Sequence, residues 1–483
     1  MPFRAAIVWS WAVALVMIAS VVAPRGALAN TTAPTKKIPV IAVGGSVAER
    51  AHPLDLFGDG SPTLREYVSA IRRAAEDDSV PAVVIRFENP SWSLSQAMEV
   101  HDAMRAVRDA KKKIYASYDM AGLGNYVAST AADEIVLPPV GGLDIYGINL
   151  SVYYMRDLLG KLGVQADAVN TGRFKDAMDP FLRQDMADGT REQLTALVED
   201  SLESMTETVA RNRGITEVQA RTLLTEGPYT STQALAAGAV DRLANLDELL
   251  DELKTTHSAE LDYEYASSKK SSAQNPSLMS LFSGSLSRAA GRKDETPKVA
   301  LVYAIGSIVD GRTDKSNPLL EREEIASDDF LDVLDDVAKE GGLKAIVLRV
   351  DSPGGSAIAS DRIWARLRRI QESGIPVVVS MGSVAASGGY YISMGADRIV
   401  AQPTTITGSI GVVGGKFVIG GTYEKLGIAR EEISIGKNVG LMNETTPWNP
   451  AEKKLLIVML DEIYDTFTAK AATGRKTTQE RIK

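Results

Sequence analysis

Cysteine is missing from all 483 residues, so no disulfide holds this chain, no thiol does its chemistry and no Cys-ligated zinc orders it. Histidine is nearly missing. His52, His101 and His257 are the three present, and none stands in a conspicuous motif. That scarcity matters for catalysis, because histidine is the usual general base. A surplus of basic charge is lacking too: the formal net charge is −9 and the pI near 5.2, which argues against nucleic acid as the main partner. What is present is globular in character, with 45% hydrophobic and 24% charged residues. The length accommodates two or three ordinary domains, each with its own core.

One long uncharged run opens the chain. Arg4 supplies a positive start, residues 5–23 are apolar and uncharged, and Ala27-Leu28-Ala29 gives a small-x-small pattern ahead of Asn30. The run is long for the core of a secretory signal and close to the length that spans a bilayer. Residues 1–29 are therefore expected to be either a cleaved signal peptide or a retained N-terminal membrane anchor. In both cases the remainder is exported.

The rest of the sequence repeats itself. Lys37-Ile38-Pro39-Val40 is matched by Lys298-Val299-Ala300-Leu301, and Ala82-Val83-Val84-Ile85-Arg86 by Ala345-Ile346-Val347-Leu348-Arg349. Tyr126, Ser129, Ala132, Asp133, Ile135, Val136 and Pro139 recur as Tyr390, Ser393, Ala396, Asp397, Ile399, Val400 and Pro403, and Lys161-Leu162-Gly163 as Lys425-Leu426-Gly427, all at an offset of 264 residues. A gapless match of that length marks a duplication. The first copy is expected over 37–260 and the second over 298–483. A Ser-, Lys- and Gly-rich linker over 265–296 separates them, in which Leu278, Leu281, Phe282 and Leu286 form a short apolar cluster. The second copy runs only to the equivalent of about Leu223, so a closing helix and strand are expected to be missing from it. Short buried strands (Val83-Val84-Ile85, Ile346-Val347-Leu348, Val377-Val378-Val379, Ile399-Val400) alternate with helical spacing of Val100, Met104 and Val107, and of Ile363, Trp364, Leu367 and Ile370. This is the pattern of βαβ units in an α/β fold.

Two segments of the second copy carry candidate chemistry. Asp351-Ser352-Pro353-Gly354-Gly355-Ser356 lies between a strand and a helix, where adjacent glycines let the backbone approach a ligand and turn its N–H groups outward. It lacks the Gly-Lys-Ser/Thr ending of a phosphate loop. Ala385-Ala386-Ser387-Gly388-Gly389-Tyr390 places a serine at a strand-to-helix elbow, a position suited to a hydroxyl nucleophile. Each string alone is also ordinary turn chemistry. In the first copy Leu123-Gly124-Asn125-Tyr126 stands at the place of Ser387 to Tyr390, and Asn89-Pro90-Ser91-Trp92 at the place of Ser352 to Gly355. The first copy has therefore lost the serine and the glycines together. It offers instead Gly172-Arg173-Phe174-Lys175, a lysine expected to lie against an apolar wall of Phe174, Met178 and Phe181. Burial lowers a lysine pKa and leaves a neutral amine able to act as base. The second copy has Val439 at that position. One copy keeps the nucleophile Ser387 and the other the general base Lys175.

These motifs, with Thr407-Gly408-Ser409-Ile410-Gly411, make the chain resemble signal peptide peptidase A in its long, tandem-repeat form, from about residue 37 to the end. The resemblance implies an α/β fold of two tandem crotonase/Clp protease-like ββα superhelix domains. It implies a serine peptidase in which Ser387 attacks, Lys175 takes the proton, Ser409 orients the lysine, and the amides of Gly355 and Gly388 form the oxyanion hole. It calls for no cofactor and no metal. Substrates would be cleaved signal peptides and other apolar peptides, the membrane would be reached through the N-terminal segment, and the assembly would be a homotetramer at the inner membrane with its catalytic part on the periplasmic side. Two other readings compete: a crotonase-like acyl-CoA enzyme, and a non-catalytic envelope scaffold.

Overall fold

A computed structural model describes residues 36–50, 62–266, 296–313, 323–433 and 438–483. The expected signal or anchor over 1–29, His52 and the linker cluster of Leu278, Leu281, Phe282 and Leu286 lie outside the described residues. Among the described residues no helix is long and apolar enough to cross a membrane.

The fold is α/β, with a parallel sheet in each of two regions. In the first, the strands in chain order are β1 (Lys37–Ser46), β2 (Ala82–Ser91), β3 (Lys113–Ser117), β4 (Met120–Gly122), β5 (Glu134–Leu137), β6 (Gly142–Asp144), β7 (Gln165–Thr171), β8 (Tyr229–Thr230), β9 (Arg242–Leu243) and β10 (Glu260–Asp262). Six of them make a parallel sheet in the order β10-β1-β2-β3-β5-β9, and β4-β6-β8 make a small one beside it. Val83, Val84 and Ile85 in β2 are all fully buried. A run that is apolar on both faces suits a central parallel strand covered on both sides. One cover includes the helix Leu94–Asp109, started by a Ser93/Gln96 capping box and burying Val100, Met104 and Val107 along one stripe. The other is the helix Leu246–His257, which seats Leu249, Leu250 and Leu253 on Ile38, Val40, Val84 and Val136.

The second region repeats the plan with β11 (Lys298–Ile305), β12 (Ser307–Val309), β13 (Glu324–Ala326), β14 (Leu343–Ser352), β15 (Val377–Ala386), β16 (Arg398–Val400), β17 (Ile406–Gly408) and β18 (Val412–Val418). Its parallel sheet runs β11-β14-β15-β16, with β17 paired to the far end of β15. Ile363, Leu367 and Ile370 on the helix Ala357–Glu372 cover one face. The opposite face differs from that of the first region. Val299, Leu301 and Val400, which match Ile38, Val40 and Val136, are 62%, 37% and 60% exposed, against 0%, 3% and 0% for their counterparts. Among the described residues no helix lies over them.

Several contacts join the regions, among them a strand pairing and a buried ion network. β7 pairs antiparallel with β18, from Gln165 opposite Val418 to Thr171 opposite Val412. Deeper in, Arg349 on β14 makes a bidentate pair with Glu49, both bonds 2.9 Å, and a further bond of 2.6 Å to Glu99. Its remaining nitrogen donates to Ser380 Oγ and to the Met381 carbonyl. Burial pushes the Glu99 carboxyl up, partly offset by the Arg349 guanidinium.

Candidate active site

Strand β15 runs to Ala386 and passes straight into the helix Gly388–Ser393, leaving Ser387 at the joint with φ 52° and ψ −118°. A non-glycine residue held there costs roughly 1–3 kcal/mol and persists only where its surroundings impose it. The surroundings do so. The Ser387 amide donates to the Gly408 carbonyl at 2.9 Å, and the Gly354–Gly355 turn presses against the elbow. A Cβ built on Gly354, itself at φ 99°, would lie 2.5 Å from the Gly388 nitrogen and 2.8 Å from Ser387 Cβ. One on Gly355 would lie 2.0 Å from the Ile308 carbonyl oxygen. Ser352, fully buried, fixes this turn by donating to the Gly306 carbonyl and accepting from the Gly354 amide. Gly355 and Gly388 both line the cavity that Ser387 opens into, and a Cβ on Gly388 would stand 3.2 Å from the Gly355 nitrogen. Neither amide has a hydrogen-bond partner among the described residues, so both remain free to donate to a ligand.

Lys175 reaches this serine from the other region. It sits four residues past the end of β7, and its Nζ lies 2.9 Å from Ser387 Oγ, 3.0 Å from the Ser409 carbonyl oxygen and 3.1 Å from Ser409 Oγ. All three contacts lie within a single chain. Ser409, at φ 48°, follows Gly408 at φ 80°, and this left-handed pair sits where β17 ends and the chain heads for β18. On the lysine side, the Asn170 side-chain amide donates to the Lys175 carbonyl at 2.8 Å and closes the turn that carries it. Burial holds the Lys175 amine below the ordinary lysine range, opposed in part by the Asp176 carboxylate next to it. One oxygen of that carboxylate, Oδ2, is buried without a partner.

The apolar wall expected from the lysine's own segment is not what buries it. Phe174 is exposed and stacks under the Arg173 guanidinium at 4.6 Å, while Phe181 packs on Phe417 with centroids 5.3 Å apart. The walls that Lys175 shares come from the second region: Gly411, Val412 and Val413 beside it, and Leu460 and Ile463 from the helix Pro450–Arg475. These last two lie nearly 300 residues from Lys175 in no motif. Their one signal is an apolar i, i+3, i+7 spacing with Phe467.

The two described histidines are elsewhere. His101 is buried with its ring nitrogens facing Asp102 and Asn212, and His257 ends the helix Leu246–His257. In the first region the place equivalent to the Ser387 site is filled. Trp92 packs edge-on against Phe87, and its indole nitrogen is the nearest atom to a Cβ built on Gly124.

The model of peptidase family S49 matches residues 106–260 and 369–483, one stretch in each region. Protease 4 of Salmonella typhi is 31% identical over 437 residues, covering 88% of this chain and 68% of that protein. The chloroplastic serine protease SPPA of Arabidopsis thaliana is 28% identical over 404 residues, covering 83% and 58%. Protease 4 of Haemophilus influenzae is 28% identical over 428 residues, covering 86% and 66%. The chain thus spans between 58% and 68% of the length of these relatives.

Proposed function

The chain belongs to peptidase family S49, a hydrolase of the serine peptidase class, and from that premise we propose that Ser387 is its nucleophile and Lys175 the general base of a Ser–Lys dyad. The observation that carries the reading is the 2.9 Å hydrogen bond between Lys175 Nζ and Ser387 Oγ. A lysine serves as base only in its neutral form, and burial of this amine favours that form.

In the first step Ser387 Oγ forms a bond to the peptide carbonyl carbon while its proton passes to Lys175 Nζ. The carbonyl oxygen becomes an oxyanion and accepts from the amides of Gly355 and Gly388, each such donor contributing about 3 kcal/mol in comparable sites. As the C–N bond breaks, the protonated lysine gives that proton to the departing amine. Water then attacks the acyl-enzyme, yielding a proton to Lys175, which passes it to Ser387 Oγ as the ester bond breaks and the carboxylic product leaves, restoring the hydroxyl and the neutral amine. Ser409 keeps the amine aimed throughout by accepting from it through two oxygens.

The substrates we infer are cleaved signal peptides and other apolar peptides. Supporting this are the apolar lining opposite the serine and the resemblance set out from the motifs. The uncharged run over residues 5–23 supports an exported enzyme held at the inner membrane, its catalytic part on the periplasmic side, acting as a homotetramer as the resemblance implies. Ser387→Ala and Lys175→Ala are each expected to reduce peptide hydrolysis to background while the circular dichroism spectrum and melting temperature stay near those of the parent. A fluorophosphonate probe should label Ser387 in the parent. Undiminished turnover in the lysine variant would assign the base elsewhere.

A further inference from the structure

The cavity that Ser387 and Lys175 line encloses about 300 Å³, and beyond the walls already described beside the lysine it is lined by Phe467 and Tyr391. Tyr391 follows Ser387 by four residues, its amide donates to the Ser387 carbonyl at 2.9 Å, and both residues line this cavity. The ring of Tyr391 packs on Phe467 with centroids 4.6 Å apart. Its hydroxyl donates to Asp361 Oδ1 at 2.6 Å. The same carboxylate oxygen pairs with Lys470, whose Nζ lies 4.2 Å from the centroid of the Trp364 ring. Asp361 and Trp364 belong to the helix Ala357–Glu372, and Phe467 and Lys470 to the helix Pro450–Arg475. Three helices thus converge on one phenol, and none of its polar partners takes part in the hydrolytic steps.

An apolar wall needs no ion pair behind it. Packing alone would bury the ring, but a hydrogen bond to a charged acceptor is directional and among the stronger kinds. It selects one placement of the ring, and the lysine in turn fixes the carboxylate. Burial and the Asp361 carboxylate push the phenol above its ordinary range, so it remains a donor.

Resting on the reading of Ser387 as nucleophile, we propose that Tyr391 is the specificity-determining wall of the pocket receiving the apolar side chain next to the scissile carbonyl, and that Asp361 and Lys470 are positioning residues which hold that wall in place. The fixed ring limits the depth of the pocket and favours an aliphatic side chain over an aromatic one. The requirement is steric, so it appears as a ratio between substrates rather than as a loss of catalysis.

The test compares peptidyl p-nitroanilides that differ only in the residue before the scissile bond, leucine or phenylalanine, on the parent and on Tyr391→Ala, Asp361→Asn, Lys470→Met and Lys470→Arg. The phenylalanine-to-leucine ratio of kcat/KM should rise about tenfold in Tyr391→Ala, within the range one or two methylenes command in an apolar pocket. It should rise about threefold in Asp361→Asn and Lys470→Met, and return toward the parent value in Lys470→Arg, which restores the cation. Asp361 and Lys470 are 43% and 25% exposed, so their variants keep the test standing should Tyr391→Ala fail to fold. An unchanged ratio in Asp361→Asn and Lys470→Met overturns the proposal while Ser387 turnover persists. Failure of the nucleophile reading looks different, since the parent would then cleave neither substrate and acquire no fluorophosphonate label.

Discussion

At Lys175 two opposing influences set the proton affinity of one amine. Burial lowers it, and the neighbouring Asp176 carboxylate raises it by a smaller amount. The neutral fraction grows as pH climbs through the folded-state pKa, so activity should increase with pH along a limb centred below the ordinary lysine value. Asp176→Asn removes the raising influence and should move that limb to lower pH, read from the pH profile of fluorophosphonate inactivation. A shift toward higher pH would show that the carboxylate acts otherwise. The sign for stability follows the same logic. Between the folded and unfolded pKa values the unfolded chain holds the extra proton, so the folded form gains as pH rises across that window. At this scale the sequence was legible where one copy kept what the other lost, which singled out Ser387 and Lys175. The Gly354-Gly355 turn was legible as backbone turned toward a ligand, whereas Ser409 and the choice of the Gly355 and Gly388 amides came with the family resemblance. The residues that desolvate the lysine were not legible at all. Leu460 and Ile463 arrive from a helix whose apolar spacing signals only a buried face.

Among the elements, the β7–β18 ribbon does most to bring the two side chains together. Its pairing ends at Thr171 opposite Val412, which leaves Lys175 four residues beyond one strand and Ser409 three residues before the other. Asn170, still within β7, then ties the turn by donating to the Lys175 carbonyl. Asn170→Ala should lower kcat about fivefold, the equivalent of one lost neutral hydrogen bond of about 1 kcal/mol, with KM unchanged. A change confined to KM would instead place Asn170 in substrate binding. The central strands were readable from their apolar runs, which are buried on both faces in the first region and on one face in the second. The ribbon was not. Gln165–Thr171 and Val412–Val418 are short, half-exposed and interrupted by polar residues or glycine. Strand β15 also runs on to Ala386, well past the Val377-Val378-Val379 core, because the Met381 to Ala386 half is held by pairing with β14 and β17 rather than by an apolar run.

Across the whole molecule, one repeated arginine shows what joining the two regions does to equivalent positions. Arg349 is buried against Glu49 and Glu99 of the first region, whereas its counterpart Arg86 is 43% exposed and, among the described residues, pairs with Glu88 at 3.1 Å. Removing one member of a buried ion network strands the others without a partner, at a cost of about 3–5 kcal/mol. An exposed pair contributes about 1 kcal/mol at most. Arg349→Ala should therefore destabilise the protein by several times more than Arg86→Ala, measured by urea denaturation of both. Equal effects would mean that the buried network carries none of the junction's stability. The matched strings ending in Arg86 and Arg349 predicted the equivalence of the two arginines, but not which one would be enclosed, since enclosure depends on a surface that the other region provides.

The ribbon linking β7 to β18 also constrains how a chain of this kind can change over generations. With its amine on one side of that seam and its hydroxyl on the other, the pair proposed as the dyad would be broken by deleting or exchanging either region. A return to one self-sufficient copy is unequal between the two: the second lacks only a lysine, at Val439, whereas the first has lost the serine and the glycines together.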